Sequence, residues 1–204
     1  RYPEAKISWL VRPDCAQILQ GLGGLDEIIT FDRKQMSKVG RNIAPTKAFF
    51  YFMKLLRSKQ YDLVLDFQGL FRSGLFGWIT KAPVRIGFGH AREMATHFYT
   101  HKVICYDNEH VVDSMWRFGY LLDFISCKKD FTIDFNNDHY KQATTCLTAH
   151  HLSPKQYIVL LIGGTDPLKR WPVEMFSKLA VKLFNSHNLP IVLIGAGETE
   201  VALA

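Results

Sequence analysis

This sequence predicts an α/β protein with mainly parallel sheets and helices on both sheet faces. Strand-like and helix-like runs alternate along the chain, which is the signature of parallel βαβ units. The strand runs at 62–66, 157–162 and 190–194 are compact and apolar, as buried parallel strands are. A polar stretch from His150 to Gln156, containing Ser153-Pro154, interrupts the alternation, and a second α/β unit then begins. The expected division is residues 1–152 and residues 153–204.

The elements follow in order. Lys6 to Val11 is the first strand. Asp14 is placed to cap a helix from Cys15 to about Leu22. Glu27 to Phe31 is a second strand. A helix spans about Pro45 to Lys59, with Pro45 at an early position and Lys54, Arg57 and Lys59 on its wet face. The aromatic cluster Phe49-Phe50-Tyr51-Phe52 in this helix reads as core rather than as a stacking platform for bases. Asp62 to Asp66 is a strand, Phe71 to Ile79 a helix, Val84 to Phe88 a strand, Glu93 to Tyr99 a helix and Lys102 to Cys105 a strand. From His110 to Phe124 the apolar stripe Val112, Met115, Trp116, Gly119 and Leu122 predicts an amphipathic helix. A helix from about Asp138 to Ala149, strand 157–162, helix 172–186 and strand 190–194 complete the chain.

Composition narrows the function classes. The 204 residues are 48% hydrophobic and 22% charged, typical of a globular protein with a substantial core. The net charge of +6 favours an acidic partner. No block of five or six basic residues marks a nucleic-acid arm, and the cations are scattered over many elements, so nucleic acid is not the expected partner. Cys15, Cys105, Cys127 and Cys146 are widely spaced without a Cys-x-x-Cys pair, which suits reduced cytoplasmic thiols and argues against a zinc ribbon. No apolar run reaches the roughly 20 residues that span a bilayer. The start at Arg1-Tyr2-Pro3, directly before a strand, and the end at 201–204, like the first turn of a helix, read as cut ends.

In open α/β sheets ligands bind beyond the carboxyl ends of strands. The most informative such end is 157–180. An apolar strand breaks on Gly163-Gly164, crosses a turn with Thr165, Asp166, Lys169 and Arg170, and enters a helix with Pro172 in its first turn. Glycines admit backbone close to a ligand, Thr165 offers a hydroxyl, and Lys169 or Arg170 offers charge beside a helix N-terminus. That set suits an anionic ligand, although Gly-Gly-Thr-Asp-Pro is also ordinary turn chemistry. At the end of strand 62–66, Asp66, Gln68 and Arg72 suit a polar, anionic ligand, or equally a cap and a solvated face. At 87–93, two glycines, His90, Arg92 and Glu93 crowd another strand end, where Arg92 and Glu93 also fit a first-turn charge pair. His97 and His101 would share one helical face, but they lack a third ligand, so no metal site is expected. The Gly195-Ala-Gly197 stretch fails the dinucleotide fingerprint, because Glu200 occupies its third glycine position. Glu198 or Glu200 is placed to hold a ribose.

These stretches together resemble the heptosyltransferases of lipopolysaccharide core synthesis, glycosyltransferase family nine. The similarity runs through Arg1 to Val11, through Tyr61-Asp62 and Asp66-Phe67-Gln68-Gly69-Leu70-Phe71-Arg72-Ser73, through Ala91-Arg92-Glu93 with Phe98-Tyr99, and through Thr165 with Lys169-Arg170-Trp171-Pro172. The helix start at His110-Val111-Val112-Asp113 also fits. The resemblance implies a GT-B fold of two Rossmann-like domains, with the acceptor on the N-terminal one and the nucleotide-sugar on the C-terminal one. It implies a metal-independent, inverting transfer of heptose from ADP-heptose to an inner-core acceptor sugar, with no cofactor. Thr165 and Lys169 would hold the donor diphosphate, Glu198 the donor ribose, and Gln68, Arg72 and Arg92 the acceptor. The implied catalytic Asp would precede Arg1, and a second donor loop would follow Ala204. An isolated stretch of this extent is therefore expected to lack turnover. The implied location is cytoplasmic, with contact at the inner membrane left open. Two other readings fit the same residues: another GT-B nucleotide-sugar enzyme, such as a UDP-sugar transferase or an epimerase, and a non-enzymatic nucleic-acid-binding module.

Overall fold

The computed structural model describes residues 2–36, 38–124, 128–133, 135–164, 168 and 170–195. The chain divides into two compact units, Arg1–Asp134 and Phe135–Ala204. The helix after residue 136 is thus grouped with the C-terminal unit, ahead of the polar stretch at 150–156.

In the first unit, strand β1 (Ser8–Val11) pairs in parallel with β2 (Glu27–Thr30), Trp9 opposite Ile28. Between them lie a short helix α1 (Pro13–Ala16) and a 3-10 turn (Gln17–Leu19) instead of one continuous helix. Asp14 is not its cap. Pro13, preset for helical φ, occupies the first turn after extended Arg12, and Asp14 lies inside that turn, 3.1 Å from the Arg12 guanidinium. A short helix α2 (Arg33–Met36) and a long one, α3 (Ile43–Ser58), lead to β3 (Leu63–Asp66). Helix α4 (Phe71–Ile79), β4 (Val84–Phe88), β5 (His101–Val103) and α5 (Val111–Leu121) follow, and β3, β4 and β5 form one parallel sheet in that order.

Parallel register sorts the side chains by face. Leu65 lies opposite Ile86, and Asp66 opposite Gly87. Leu65 and Val84 pack with Ile86, Phe88, Val103 and Phe118 of α5 in one apolar cluster. The intervening residues face α4, where a Cβ on Gly77 would meet Val64 at 3.3 Å. A second cluster joins Ile29, Phe31, Leu56 and Phe76, with Phe49, Phe52 and Met53 of α3 against it. The four-residue aromatic run of α3 is therefore split. Phe49 and Phe52 turn inward, but Phe50 and Tyr51 are exposed, because α3 presents only one face to the core.

The segment before β5 departs most from expectation. Glu93 and Met94 both take left-handed backbone, with φ of 55° and 62°, and only Ala95–Phe98 forms a 3-10 turn. A continuous helix from Glu93 to Tyr99 is ruled out by those two dihedrals. His97 lies in that turn and His101 begins β5, so no single helix face carries both. Among the described residues no group of three or more metal-ligating side chains occurs.

Gly87 explains why the turn can lie so close to the sheet. A Cβ placed there would sit 2.3 Å from the Tyr99 ring. Gly87→Ala is expected to destabilise the unit by about 1–3 kcal/mol through overpacking. A shifted urea midpoint would register it, and an unchanged midpoint would refute the stated packing.

The loop into α5 is braced by Glu109. Its carboxylate lies 2.7 and 2.8 Å from Arg117 Nε and accepts from the Ser114 hydroxyl at 3.1 Å. Arg117 also lies over the Tyr106 ring, 4.2 Å from its centroid. Arg117, first, holds the Glu109 carboxyl below the usual carboxylate range, with Ser114 and the Tyr106 N–H adding to it. A depressed folded pKa contributes stability that is present above the unfolded value of about 4.3 and is lost as pH falls through the folded one. Glu109→Gln is therefore expected to lower stability at neutral pH, with the difference from the wild type vanishing in strong acid. Equal stability–pH curves for the two proteins would refute this.

In the second unit, α6 (Asn137–Ala149) precedes β6 (Ile158–Leu161), α7 (Val173–His187) and β7 (Ile191–Ile194). The two strands pair in parallel, Ile158 opposite Ile191. Asn136 caps α6 by accepting from the His139 N–H at 2.9 Å. Pro172 is the N-cap of α7, just outside its first turn, and Asn188 ends that helix with left-handed φ of 51°. No helix among the described residues is long and apolar enough to cross a membrane.

Candidate functional site

The best-defined polar constellation lies at the carboxyl ends of β3 and β4. Asp66 is 6% exposed, and its carboxylate accepts four hydrogen bonds. Oδ1 takes the N–H groups of Gln68 at 2.9 Å and Gly69 at 3.1 Å. Oδ2 takes the hydroxyls of Ser73 at 2.8 Å and Tyr99 at 2.6 Å. A buried carboxylate is tolerated only when its oxygens are satisfied in this way. Of the two readings open for Asp66, the structure therefore supports the structural one: the side chain folds the turn that follows its own strand.

That turn is built tightly. Gly69 has φ of +66°, and a Cβ there would lie 3.3 Å from the Ala91 Cβ. The Gly69 carbonyl accepts from the Arg92 N–H at 2.9 Å, so the loops after β3 and β4 are joined backbone to backbone. Gln68 and Arg92 leave these two joined loops, and both are exposed. Arg72 lies in the first turn of α4, half-buried, with its guanidinium carbon 5.4 Å from the Phe31 ring centroid. The face of Arg72 is thus an aromatic contact rather than open solvent. Glu93 does not form the first-turn charge pair with Arg92 that the sequence allowed. Its carboxylate accepts from the Phe71 N–H at 3.3 Å, at the N-terminus of α4, where negative charge is favourable.

Two of these groups carried no role in the sequence reading: Tyr99 and Ser73. Tyr99 lies 33 residues from Asp66, and no local pattern links them. Burial, first, and the Asp66 hydrogen bond push the Tyr99 hydroxyl far above its ordinary pKa, so it stays a neutral donor. Ser73 is the one with a local signal. Its oxygen accepts from the Leu70 N–H at 3.1 Å, three residues back, as a polar residue at the third helical position does.

In the second unit, Arg170 Nε donates to the Gly164 carbonyl at 2.5 Å and closes the turn between β6 and α7. Of the two cations the sequence offered there, Arg170 thus has a structural bond. A groove of about 520 Å³ beside α7 is lined by Ile162, Trp171, Phe176 and Leu193, with Arg170 and Ser177 among its polar members. Thr165, Lys169, Glu198 and Glu200 lie outside the described residues.

Residues 49–204 match the family model described as glycosyltransferase family 9 (heptosyltransferase). Over 193 residues the chain is 21% identical to the lipopolysaccharide core heptosyltransferase OpsX of Haemophilus influenzae, covering 94% of this chain and 51% of that protein. It is similar to the structure of E. coli heptosyltransferase WaaC with ADP-2-deoxy-2-fluoro heptose, with a TM-score of 0.74 and 27% identity over 99% of this chain and 63% of that one. A glycosyl transferase family 9 structure from Veillonella parvula aligns with a TM-score of 0.77 at 19% identity, over 98% of this chain and 56% of that one, and bears on the fold alone. The chain spans about half the length of the curated relative it matches. The α/β units with parallel sheets are of the GT-B type, as the sequence motifs implied.

Proposed function

This chain belongs to glycosyltransferase family 9, and on that premise we propose that its protein transfers a heptose from ADP-heptose to an inner-core sugar of lipopolysaccharide, with inversion and without a metal. The observation that carries the reading is the family match over residues 49–204. The likeness to WaaC with a bound ADP-fluoroheptose supports the donor class.

In such a transfer the acceptor hydroxyl oxygen attacks the anomeric carbon of the heptose. The bond from that carbon to the ADP phosphate oxygen breaks, and ADP leaves with the electron pair. The acceptor proton passes to a carboxylate base. Asp66 is unsuited to that task, because four donors already occupy it. Thr165 and Lys169 are assigned to the donor diphosphate, where fixed donors meet the charge that develops on the leaving group. Glu198 is assigned to the donor ribose. Gln68, Arg72 and Arg92 are assigned to the acceptor, whose acidic groups suit guanidinium forks.

Titration calorimetry with ADP-heptose and with UDP-sugars on the natural-length protein tests the donor. Heat with ADP-heptose alone is expected, and binding only of UDP-sugars would replace the reading with another GT-B activity. Two further outcomes are expected. Arg92→Ala raises the acceptor KM about tenfold, the effect of one lost charged hydrogen bond, while donor affinity holds; an unchanged acceptor KM removes Arg92 from the site. Turnover persists in excess EDTA, and loss of activity restored by a divalent ion would end the metal-independent assignment.

A further inference from the structure

The charge of this chain is concentrated in one segment. Residues 33–59 contain eight Lys and Arg and no Asp or Glu. The chain has 25 Lys and Arg against 19 Asp and Glu, so without these eight the remainder holds 17 against 19, a net of −2. Apart from Arg33-Lys34 the cations are not consecutive, which is why the sequence reads as diffusely basic. Folding gathers them. Arg33 and Lys34 lie on α2, and Lys38 and Arg41 lie on the loop that follows. That loop is tied to the first turn of α3 by the Gly40 N–H donating to the Thr46 hydroxyl at 2.9 Å.

Helix α3 continues the surface. Leu56 is buried, and Phe49, Phe52 and Met53 pack on the core. At 100° per residue, Ile43, Lys47, Phe50, Tyr51, Lys54 and Arg57 fall on the opposite side within about 120° of one another. Ile43 is 77% exposed, Phe50 65% and Tyr51 73%. This solvent face is therefore apolar and aromatic, interleaved with cations, along about 24 Å of helix.

We propose that the outer face of α3, with the α2–α3 loop, docks on a bilayer with anionic headgroups. The positive charge, in which Lys59 is offset by Glu27 at 2.5 Å, complements a surface of negative phosphates, to which each juxtamembrane Lys or Arg adds attraction. The exposed aromatic and aliphatic side chains enter the headgroup–acyl boundary, and the long cationic stems reach back to the phosphates. The basic run begins at Arg33, two residues beyond the Phe31 ring that carries the Arg72 guanidinium. The α2 end of the docked surface therefore lies near Arg72, one of the residues assigned to the acceptor. The docking does not depend on that assignment; only its purpose does.

Flotation with vesicles of phosphatidylethanolamine and phosphatidylglycerol tests the proposal on the natural-length protein, with phosphatidylcholine vesicles as control. Binding to the anionic vesicles alone is expected at low salt. Lys47→Gln/Lys54→Gln/Arg57→Gln is expected to weaken it at least about tenfold, since three cations leave the surface. Phe50→Ser/Tyr51→Ser is expected to spare low-salt binding and abolish the fraction that survives at about 0.5 M salt, where charges are screened within about 4 Å. All five positions are exposed, so thermal melts of both variants should match the wild type. No binding to anionic vesicles, or undiminished affinity in the triple variant, overturns the proposal. So does preferential capture of a uridine homopolymer that is insensitive to Phe50 and Tyr51. The readout is lipid binding, so it decides the surface whatever sugar chemistry the protein performs.

Discussion

Replacing Asp66 with alanine is expected to destabilise the N-terminal unit by about 2–6 kcal/mol. The substitution strands four donors at once, and two of them, the Gly69 N–H and the Tyr99 hydroxyl, belong to buried residues. Each buried donor left without a partner costs about 1–3 kcal/mol. For a protein of this size each kcal/mol lowers the melting temperature by about 2–4 °C. Asp66→Asn should cost less. Its amide oxygen can keep the two backbone N–H groups on one side, and its NH2 can donate to the Ser73 and Tyr99 hydroxyls, which then act as acceptors. The alanine variant falling within about 0.5 kcal/mol of the wild type, the range of ordinary surface changes, would show that the network does not hold the fold. A functional consequence follows from the geometry. The turn that Asp66 folds carries Gln68 and is bonded through Gly69 to Arg92, so the asparagine variant is expected to raise the acceptor KM more than it lowers kcat.

The second large effect belongs to Lys169. Lys169→Ala is expected to cut turnover at least tenfold. If it is the main donor to the departing diphosphate, the loss reaches about 10²–10³, the range for removing one group aimed at developing charge. Because that charge grows only as the glycosidic bond breaks, kcat should fall further than affinity for intact donor. Lys169→Arg keeps the charge and should retain part of the rate. Normal turnover by Lys169→Ala would remove this residue from the role. The expectation rests on the Thr165-to-Pro172 motif and on the family, as Lys169 lies outside the described residues.

The elements differ in how plainly they could be read. Strand β4 was legible to the residue, Val84 to Phe88, because it is short, apolar and bounded by Pro83 and Gly89. Helix α3 was legible from its apolar period. The 93–99 segment was not. Its composition permits a helix, yet Tyr99 must reach Asp66 across the space that Gly87 leaves empty, and that demand puts Glu93 and Met94 in left-handed backbone. Local propensity loses there to a buried hydrogen bond. Phe50 and Tyr51 were misread for a related reason, since an aromatic run alone does not show which of its members a helix turns inward.

By itself the sequence determined the alternation of parallel strands and helices, the positions of the strand ends and the family, because each is written in short-range periodicity and local motifs. Tertiary structure alone decided that both carboxylate oxygens of Asp66 brace a turn, and that the core takes one side of α3 and leaves its lysines and arginines outward. The first outcome depends on Tyr99, 33 residues from Asp66, and the second on which side of α3 packs against Ile29, Phe31 and Phe76; no local pattern states either.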